Sequence, residues 1–356
     1  MKALVAAVVA MLLASPIPPC ALAELKKIPV ESLARIPQEA ELVFQRYGDT
    51  SPWGPPSAEI YVADANGGHL TQITHQRKLY NHIAVSPNRK MITAGRLDHG
   101  DTNKDGVINP KDRKTLIVLD LENKQEWAPA PQAEDACMGG VDWTPDGKYI
   151  VAAMRINGKA DIYRLHPDGT GLENLTKDLG KLLGIPRPVF VADVSTSFDG
   201  KWIGFTCMAT PGKLMRIVAM RIDGSAARWV SDGGGPGARN TKSTWPCGDF
   251  DPEFSPDGRY VVFERSTPAA VSDQGYPSFD CMRIKIDGTD LLRLSPQGSK
   301  ASHGIPDWSL DNRILFNEWN HDQHWSGVVL VNPDGTNYHR VEKLKGCTWA
   351  KWIPGI

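Results

Sequence analysis

A thirteen-residue pattern recurs along the chain: VDWTPDGKYIVAA (141–153), VSTSFDGKWIGFT (194–206), PEFSPDGRYVVFE (252–264) and PDWSLDNRILFNE (306–318), with HIAVSPNRKMITA (82–94) as a worn copy. Each copy places an apolar or aromatic residue before Ser or Thr, then a turn pair such as Asp-Gly, then a β-rich run. That order predicts two strands joined by a tight hairpin. A second hairpin alternates with the first: IYVADANGGHLTQIT (60–74), LIVLDLENKQEWAP (116–129), DIYRLHPDGTGLENLT (161–176), IVAMRIDGSAARWVS (217–231), RIKIDGTDLLRLS (283–295) and VVLVNPDGTNYHRV (328–341). The turn residues Asn88, Asp146, Asp199, Asp257 and Asp311 are spaced by 58, 53, 58 and 54. Two hairpins per period make a four-stranded blade, and a fixed period of this size marks a propeller.

The first hairpin has five copies and the second has six. The imbalance is removed if ELVFQRYG (41–48) and the final CTWAKWIPGI meet in one blade. The expectation is an all-β chain folded as a single β-propeller of six four-stranded blades over 41–356, closed by its N- and C-terminal strands. A seventh, degenerate blade has room in 177–193 or 233–250. An open sandwich of the same strands would leave two sheet edges unpaired.

The alternation of W-[ST]-x-D-G-x-x-[IV] with I-Y-x-x-x-x-D-G-x-x-x-x-L-[ST] resembles the TolB-type propeller repeat of secreted bacterial proteins, across residues 41–356. The resemblance implies the architecture and leaves the activity open, since propellers host many unrelated sites. TolB itself carries an α/β domain before its propeller. Here about seventeen residues separate Glu24 from the first expected strand, so the resemblance implies the propeller without that domain.

The first 23 residues, MKALVAAVVAMLLASPIPPCALA, read as a secretory signal: a lysine, a short apolar run, then a small-x-small cleavage site. Residues 24–40 form an N-terminal extension, and no segment is long and apolar enough to span a bilayer. The expected location is the periplasm. Loss of Lys2 leaves 39 Lys and Arg against 41 Asp and Glu, a balance that offers nucleic acid no electrostatic footprint. Five cysteines remain, Cys137, Cys207, Cys247, Cys281 and Cys347. An odd count leaves at least one thiol free or paired with a partner. The absence of C-x-x-C-H argues against covalently bound haem.

The stretch DTNKDGVINPKD (101–112) has the spacing of a twelve-residue calcium loop. Asp101, Asn103, Asp105, Asn109 and Asp112 would give side-chain oxygens and Val107 its carbonyl, with Gly106 at the sharp turn. Its flanks, MITAGR and TLIVLDL, are β-rich, so the ion would staple two strands rather than move helices.

Aligning the first hairpins on their Ser or Thr places His82, Gly140, Asp193, Asp251 and Ile305 four positions upstream, with His303 nearby. His82, Asp193, Asp251 and His303 are therefore candidate ligand-binding residues at the channel mouth. His321 and His324, in NHDQHW, are a candidate second metal pair. Oligogalacturonate lyases are propellers with a histidine-bound metal, so these histidines also admit a metal-dependent polysaccharide lyase or hydrolase. No G-x-S-x-G hydrolase signature occurs. The function expected first is a non-catalytic scaffold, a subunit of a periplasmic complex similar to the β subunit of hydrazine synthase. Other protein subunits are its expected partners, and calcium its structural ion.

Overall fold

The computed structural model describes residues 25–355, except 48–56, 105, 107, 109–111, 189, 211, 272–276 and 321. A short strand β1 (Ile28–Pro29) precedes β2 (Leu42–Tyr47), β3 (Ala58–Ala63) and β4 (Thr71–Gln72) of the first blade. The second blade runs β5 (Tyr80–Val85), β6 (Met91–Arg96), β7 (Thr115–Asp120), β8 (Gln125–Trp127), and the third β9 (Val141–Trp143), β10 (Ile150–Ile156), β11 (Lys159–Leu165), β12 (Glu173–Asn174). Then come β13 (Phe190–Thr196), β14 (Trp202–Met208), β15 (Arg216–Arg221), β16 (Ala227–Trp229), and β17 (Asp249–Phe254), β18 (Tyr260–Val271), β19 (Pro277–Lys285), β20 (Leu292–Arg293). The sixth blade holds β21 (Ser302–Trp308), β22 (Ile314–Asn320), β23 (Trp325–Val331), β24 (His339–Lys345), and the last strand is β25 (Cys347–Trp352).

Strand β25 returns to the first blade and becomes its innermost strand, antiparallel to β2 with Leu42 opposite Trp352 and Arg46 opposite Cys347. The expected closure and the count of six blades both hold. Residues 177–193 contain a short helix α1 (Leu179–Leu183), and 233–250 a 3-10 turn (Gly235–Ala238). Neither adds a blade. One feature was not expected: β1 pairs with β8 and makes the second blade five-stranded, Ile28 facing Glu126. Leu33 and Val30 bury themselves beside it, which ties the N-terminal extension down. Among the described residues no helix is long and apolar enough to cross a membrane.

The repeated Ser-x-Asp-Gly motif explains the regularity. In the fifth blade the Ser255 hydroxyl donates to Asp257 Oδ1 at 2.7 Å and accepts the Tyr260 N–H at 2.9 Å, while the Arg259 N–H reaches Asp257 Oδ1 at 3.0 Å. The same bonds recur at Ser86, Thr144, Ser197 and Ser309. Side chains thus supply the backbone with turn partners. The following residue takes a left-handed φ near 68° at Gly147, Gly200 and Gly258, where glycine has no Cβ to clash. Replacing Ser255 with alanine removes two bonds and is expected to cost about 1–2 kcal/mol, measured as a shift in the urea midpoint; Ser255→Thr, which keeps the oxygen, recovers most of it.

Each blade packs both faces on its neighbours, so strands run apolar throughout. Between the sixth and first blades, Leu315, Val328 and Leu330 meet Leu42, Phe44 and Trp352, all buried. The five described cysteines carry free thiols, and Cys137, Cys207, Cys281 and Cys347 lie in these layers. Burial pushes the thiols of Cys137, Cys207 and Cys347 up to about 12, which makes them inert packing groups.

Candidate binding site at the channel mouth

The innermost strands do not enter the barrel of blades smoothly. Register shifts interrupt β5, β13, β17 and β21, between Asn81 and Ala84, Ala192 and Ser195, Phe250 and Glu253, and Gly304 and Asp307. At each shift one residue adopts a left-handed φ: His82 (48°), Asp193 (54°), Asp251 (48°) and Ile305 (55°). Trp349 (55°) does the same in β25, and Gly139 (80°) precedes β9. Bulges re-aim side chains, and here they converge on one small void of about 20 Å³ lined by His82, Asp193, Asp251, Glu253, Trp349 and Lys351. That is space for a group of about the size of water.

Two residues further along each inner strand a second layer closes the axis. Lys351 Nζ donates to Glu253 Oε1 at 2.5 Å, across from the fifth blade to the first. Asp142 of the third blade accepts the Thr196 N–H at 2.7 Å and its hydroxyl at 2.8 Å, and Asp307 of the sixth accepts the Trp352 N–H at 2.5 Å. Ser195 completes the pattern by donating to the Pro252 carbonyl at 2.5 Å. These side chains join blades that the strand ladders do not.

The electrostatics are unusual for a surface of balanced charge. Burial pushes the Asp193 carboxyl up to about 7 and Asp307 up to about 6. Burial, reinforced by neighbouring carboxylates, holds Asp251 and Glu264 well above the usual carboxylate range. Glu253 is also raised by burial, although Lys351 pulls it back. Burial works against the Lys351 ammonium, but Glu253, Asp307 and Asp142 outweigh it and keep the lysine charged. His82 is driven well below its ordinary value by burial, with Lys114 and Lys351 adding to the effect, so its imidazole is neutral.

Of the residues expected at the mouth, His82, Asp193 and Asp251 come together. His303 does not join them. It lies fully buried one strand position from the axis, its ring edge against Phe316 (5.7 Å) and Tyr338 (6.3 Å), and Ile305 takes the bulge position. His324 stands apart in the β22–β23 turn, and His321 lies outside the described residues. Among the described residues no three His, Cys, Asp or Glu converge closely enough to hold a metal. Sequence reasoning missed Glu253, Glu264, Trp349 and Lys351. The signal for the last two was present, since Trp349 and Lys351 stand four and two places before Ile353, the register of the other inner strands, but the last strand lacks the Ser-x-Asp-Gly turn that marks it.

A larger open cleft of about 530 Å³ lies against the sixth blade, between Gln297, Ser299, Asn320 and Gln323. Its charged floor is internally satisfied: Glu318 binds Arg340 at 2.5 Å and the Tyr338 hydroxyl at 2.5 Å, and Gln323 also holds Arg340. The smaller axial void is where unsatisfied charge collects.

The loop at 101–112 connects β6 and β7 on the same side of the ring as the mouth. Asp105, Val107 and Asn109 lie outside the described residues. The loop ends turn inward: Asp112 is fully buried and its Oδ1 accepts the N–H groups of Thr102 (2.7 Å) and Asn103 (3.1 Å), while Asp101 Oδ2 accepts the Gly106 N–H at 2.8 Å. Both carboxylates thus bond backbone N–H groups of the loop, and three of the six expected ligands lie outside the described residues. Lys114 Nζ, nearly buried, donates to the Asp112 carbonyl at 3.0 Å and connects this loop to the mouth.

No family model matches the chain. The uncharacterized protein Atu1656 of Agrobacterium fabrum is 30% identical over 173 residues, 48% of this chain and 50% of that one, so the chain spans about half the length of this curated relative. TolB from Acinetobacter baumannii superposes with a TM-score of 0.60 at 14% identity, over 90% of this chain and 68% of its own. A chain of a nidogen/laminin complex matches with a TM-score of 0.56 at 10% identity, over 88% of this chain and 98% of its own. At these identities the likeness is one of fold: a TolB-like six-bladed β-propeller.

Proposed function

We propose that the chain is a secreted, periplasmic propeller that serves as a protein-binding scaffold, a non-catalytic subunit of a larger complex. The observation that carries this reading is the closed axis. Lys351, Glu253, Asp142 and Asp307 fill the channel below the mouth, leaving a void of about 20 Å³. A polysaccharide would need far more room than this axial void offers. What the mouth offers instead is a rigid, charged rim, which suits a partner surface. The apolar, lysine-led segment 1–23 supports export, and it lies outside the described residues.

The test is purification of the tagged chain from its native envelope fraction, with mass spectrometry of what accompanies it and metal analysis of the product. A stoichiometric protein partner supports the scaffold. A solitary chain that carries a transition metal and cleaves a polysaccharide would sink it.

On the same reading the loop 101–112 holds one calcium ion as a staple between β6 and β7. Calcium is expected to raise the melting temperature by several degrees over chelator, in line with the mass-action stabilisation of about 3 kcal/mol at a hundredfold excess over Kd. Asp101→Asn together with Asp112→Asn should abolish the difference. Equal melting of the native chain in calcium and in chelator would refute the staple.

A further inference from the structure

Two groups at the mouth find no hydrogen-bond partner among the described residues. His82 is 8 % exposed, its ring meets Trp349 edge-on at 4.3 Å, and among the described residues neither ring nitrogen has a hydrogen-bond partner. Being neutral, it offers a nitrogen lone pair to whatever enters the void. The Asp251 carboxylate accepts no hydrogen bond from a described residue, and it stands beside Asp193 and Glu264, which repel it. Around the axis six carboxyl groups, Asp142, Asp193, Asp251, Glu253, Glu264 and Asp307, face two lysines, and burial without enough positive charge beside them favours the protonated form of several. Both lysines are engaged, Lys351 with Glu253 and Lys114 with the Asp112 carbonyl. The mouth therefore lacks a cation.

The geometry narrows which cation. Among the described residues no three His, Cys, Asp or Glu approach closely enough to ligate a metal, whose bonds to oxygen are about 2.0–2.6 Å. Hydrogen bonds from an ammonium run longer, about 2.7–2.9 Å. A void of about 20 Å³ admits an –NH₃⁺ group and is too small for a guanidinium plane. Trp349 lines the void beside His82, Asp193 and Asp251. We propose that the mouth receives a lysine side chain of the partner protein, its ammonium bound by Asp193, Asp251 and His82 with the Trp349 indole beside the stem. The ammonium carries three donors for those three acceptors, and the indole adds a cation–π contribution. This deepens the scaffold reading, and rests on it, by naming the chemistry of the partner.

The probe is Nα-acetyl-lysine methylamide added to the full-length chain, followed by calorimetry and by the imidazole resonances of His82. Saturable binding is expected, with the His82 signals shifting, at least tenfold weakening in Asp251→Asn, and little binding of the uncharged norleucine analogue. Glycinamide, an amino-terminus mimic without a stem, should bind more weakly than the lysine analogue. Absence of binding up to about 100 mM, well beyond the weakest affinity that a useful contact could supply, would overturn the proposal. Equal binding by Asp251→Asn or by the norleucine analogue would do the same, as would calcium occupying the mouth in place of the amine. Asp193→Asn is the second variant, so that a folding defect in one does not decide the matter. A partner captured equally by wild type and Asp251→Asn overturns the lysine pocket and leaves the scaffold standing. A lysine analogue bound by a chain that captures no partner gives the reverse result.

Discussion

Replacing Lys351 with methionine lowers the unfolding free energy by about 3–5 kcal/mol, the range seen when one member of a buried ion pair is removed. The reason is charge left behind. Lys351 hydrogen-bonds Glu253 at 2.5 Å and faces Asp307 and Asp142. Methionine matches the volume of the stem, so packing is a minor part of the change. The double variant Lys351→Met with Glu253→Gln removes charge from both sides and should regain at least half of the loss. Urea midpoints at pH 7 measure both. A Lys351→Met chain within about 1 kcal/mol of wild type, the ordinary effect of a surface substitution, would mean that water already screens the axis.

Stability should also fall as pH rises from 5 to 8, opposite to the usual behaviour of salt-bridged carboxylates. Asp193 sits at about 7 in the folded chain against an ordinary 3.8, and Asp307 at about 6. Between those limits the folded state keeps protons that the unfolded chain has released. Their contribution is complete below pH 3.8 and is lost as pH climbs through 6 and 7. Asp251, Glu264, Lys114 and the neutral His82 face Asp193, while Lys351 and Asp142 face Asp307. The raised Asp251 and Glu264 act in the same direction. The turn aspartates Asp146, Asp199, Asp257 and Asp311 are lowered by their hydrogen bonds and nearby cations against a burial that raises them, so their contribution disappears only under more acidic conditions. The stability maximum is thus expected near pH 5, with a loss on the order of 2 kcal/mol or more by pH 8. Melting curves across that range test it. Asp193→Asn should flatten the slope, and a wild type that is more stable at pH 8 than at pH 5 would contradict the assignment.

The parts of the fold legible in the sequence are those written locally. Ser255, Asp257 and Gly258 make their own turn, so their recurrence announces each blade without knowledge of the others. The closure by β25 was legible as an arithmetic remainder, one hairpin copy short. The site was half legible. Counting back from Ser or Thr found His82, Asp193 and Asp251, because the bulges lie at a constant offset from the turns. It could not separate His303 from the axis, since a single bulged residue between Gly304 and Asp307 exchanges which side chain faces inward. Lys351 and Glu253 were missed for a different reason: a lysine on a strand reads as solvent-exposed until the ring places a glutamate opposite it. The pairing of β1 with β8 was invisible because Ile28–Pro29 is only two residues long and its partner is about a hundred residues away.

The return of the last strand to the centre has a consequence in time. Trp349 and Lys351, which finish the mouth and fill the axis, belong to residues 347–352, the innermost strand of the blade that the chain began. A polypeptide emerging N-terminus first can build five blades while its hub stays hollow and its earliest hairpin lacks an inner neighbour. Ring completion and completion of the mouth then become one event, triggered when residues 347–352 appear. A molecule truncated before Cys347 lacks Trp349 and Lys351, so on the proposed reading a partner that reads the mouth would distinguish closed rings from open ones.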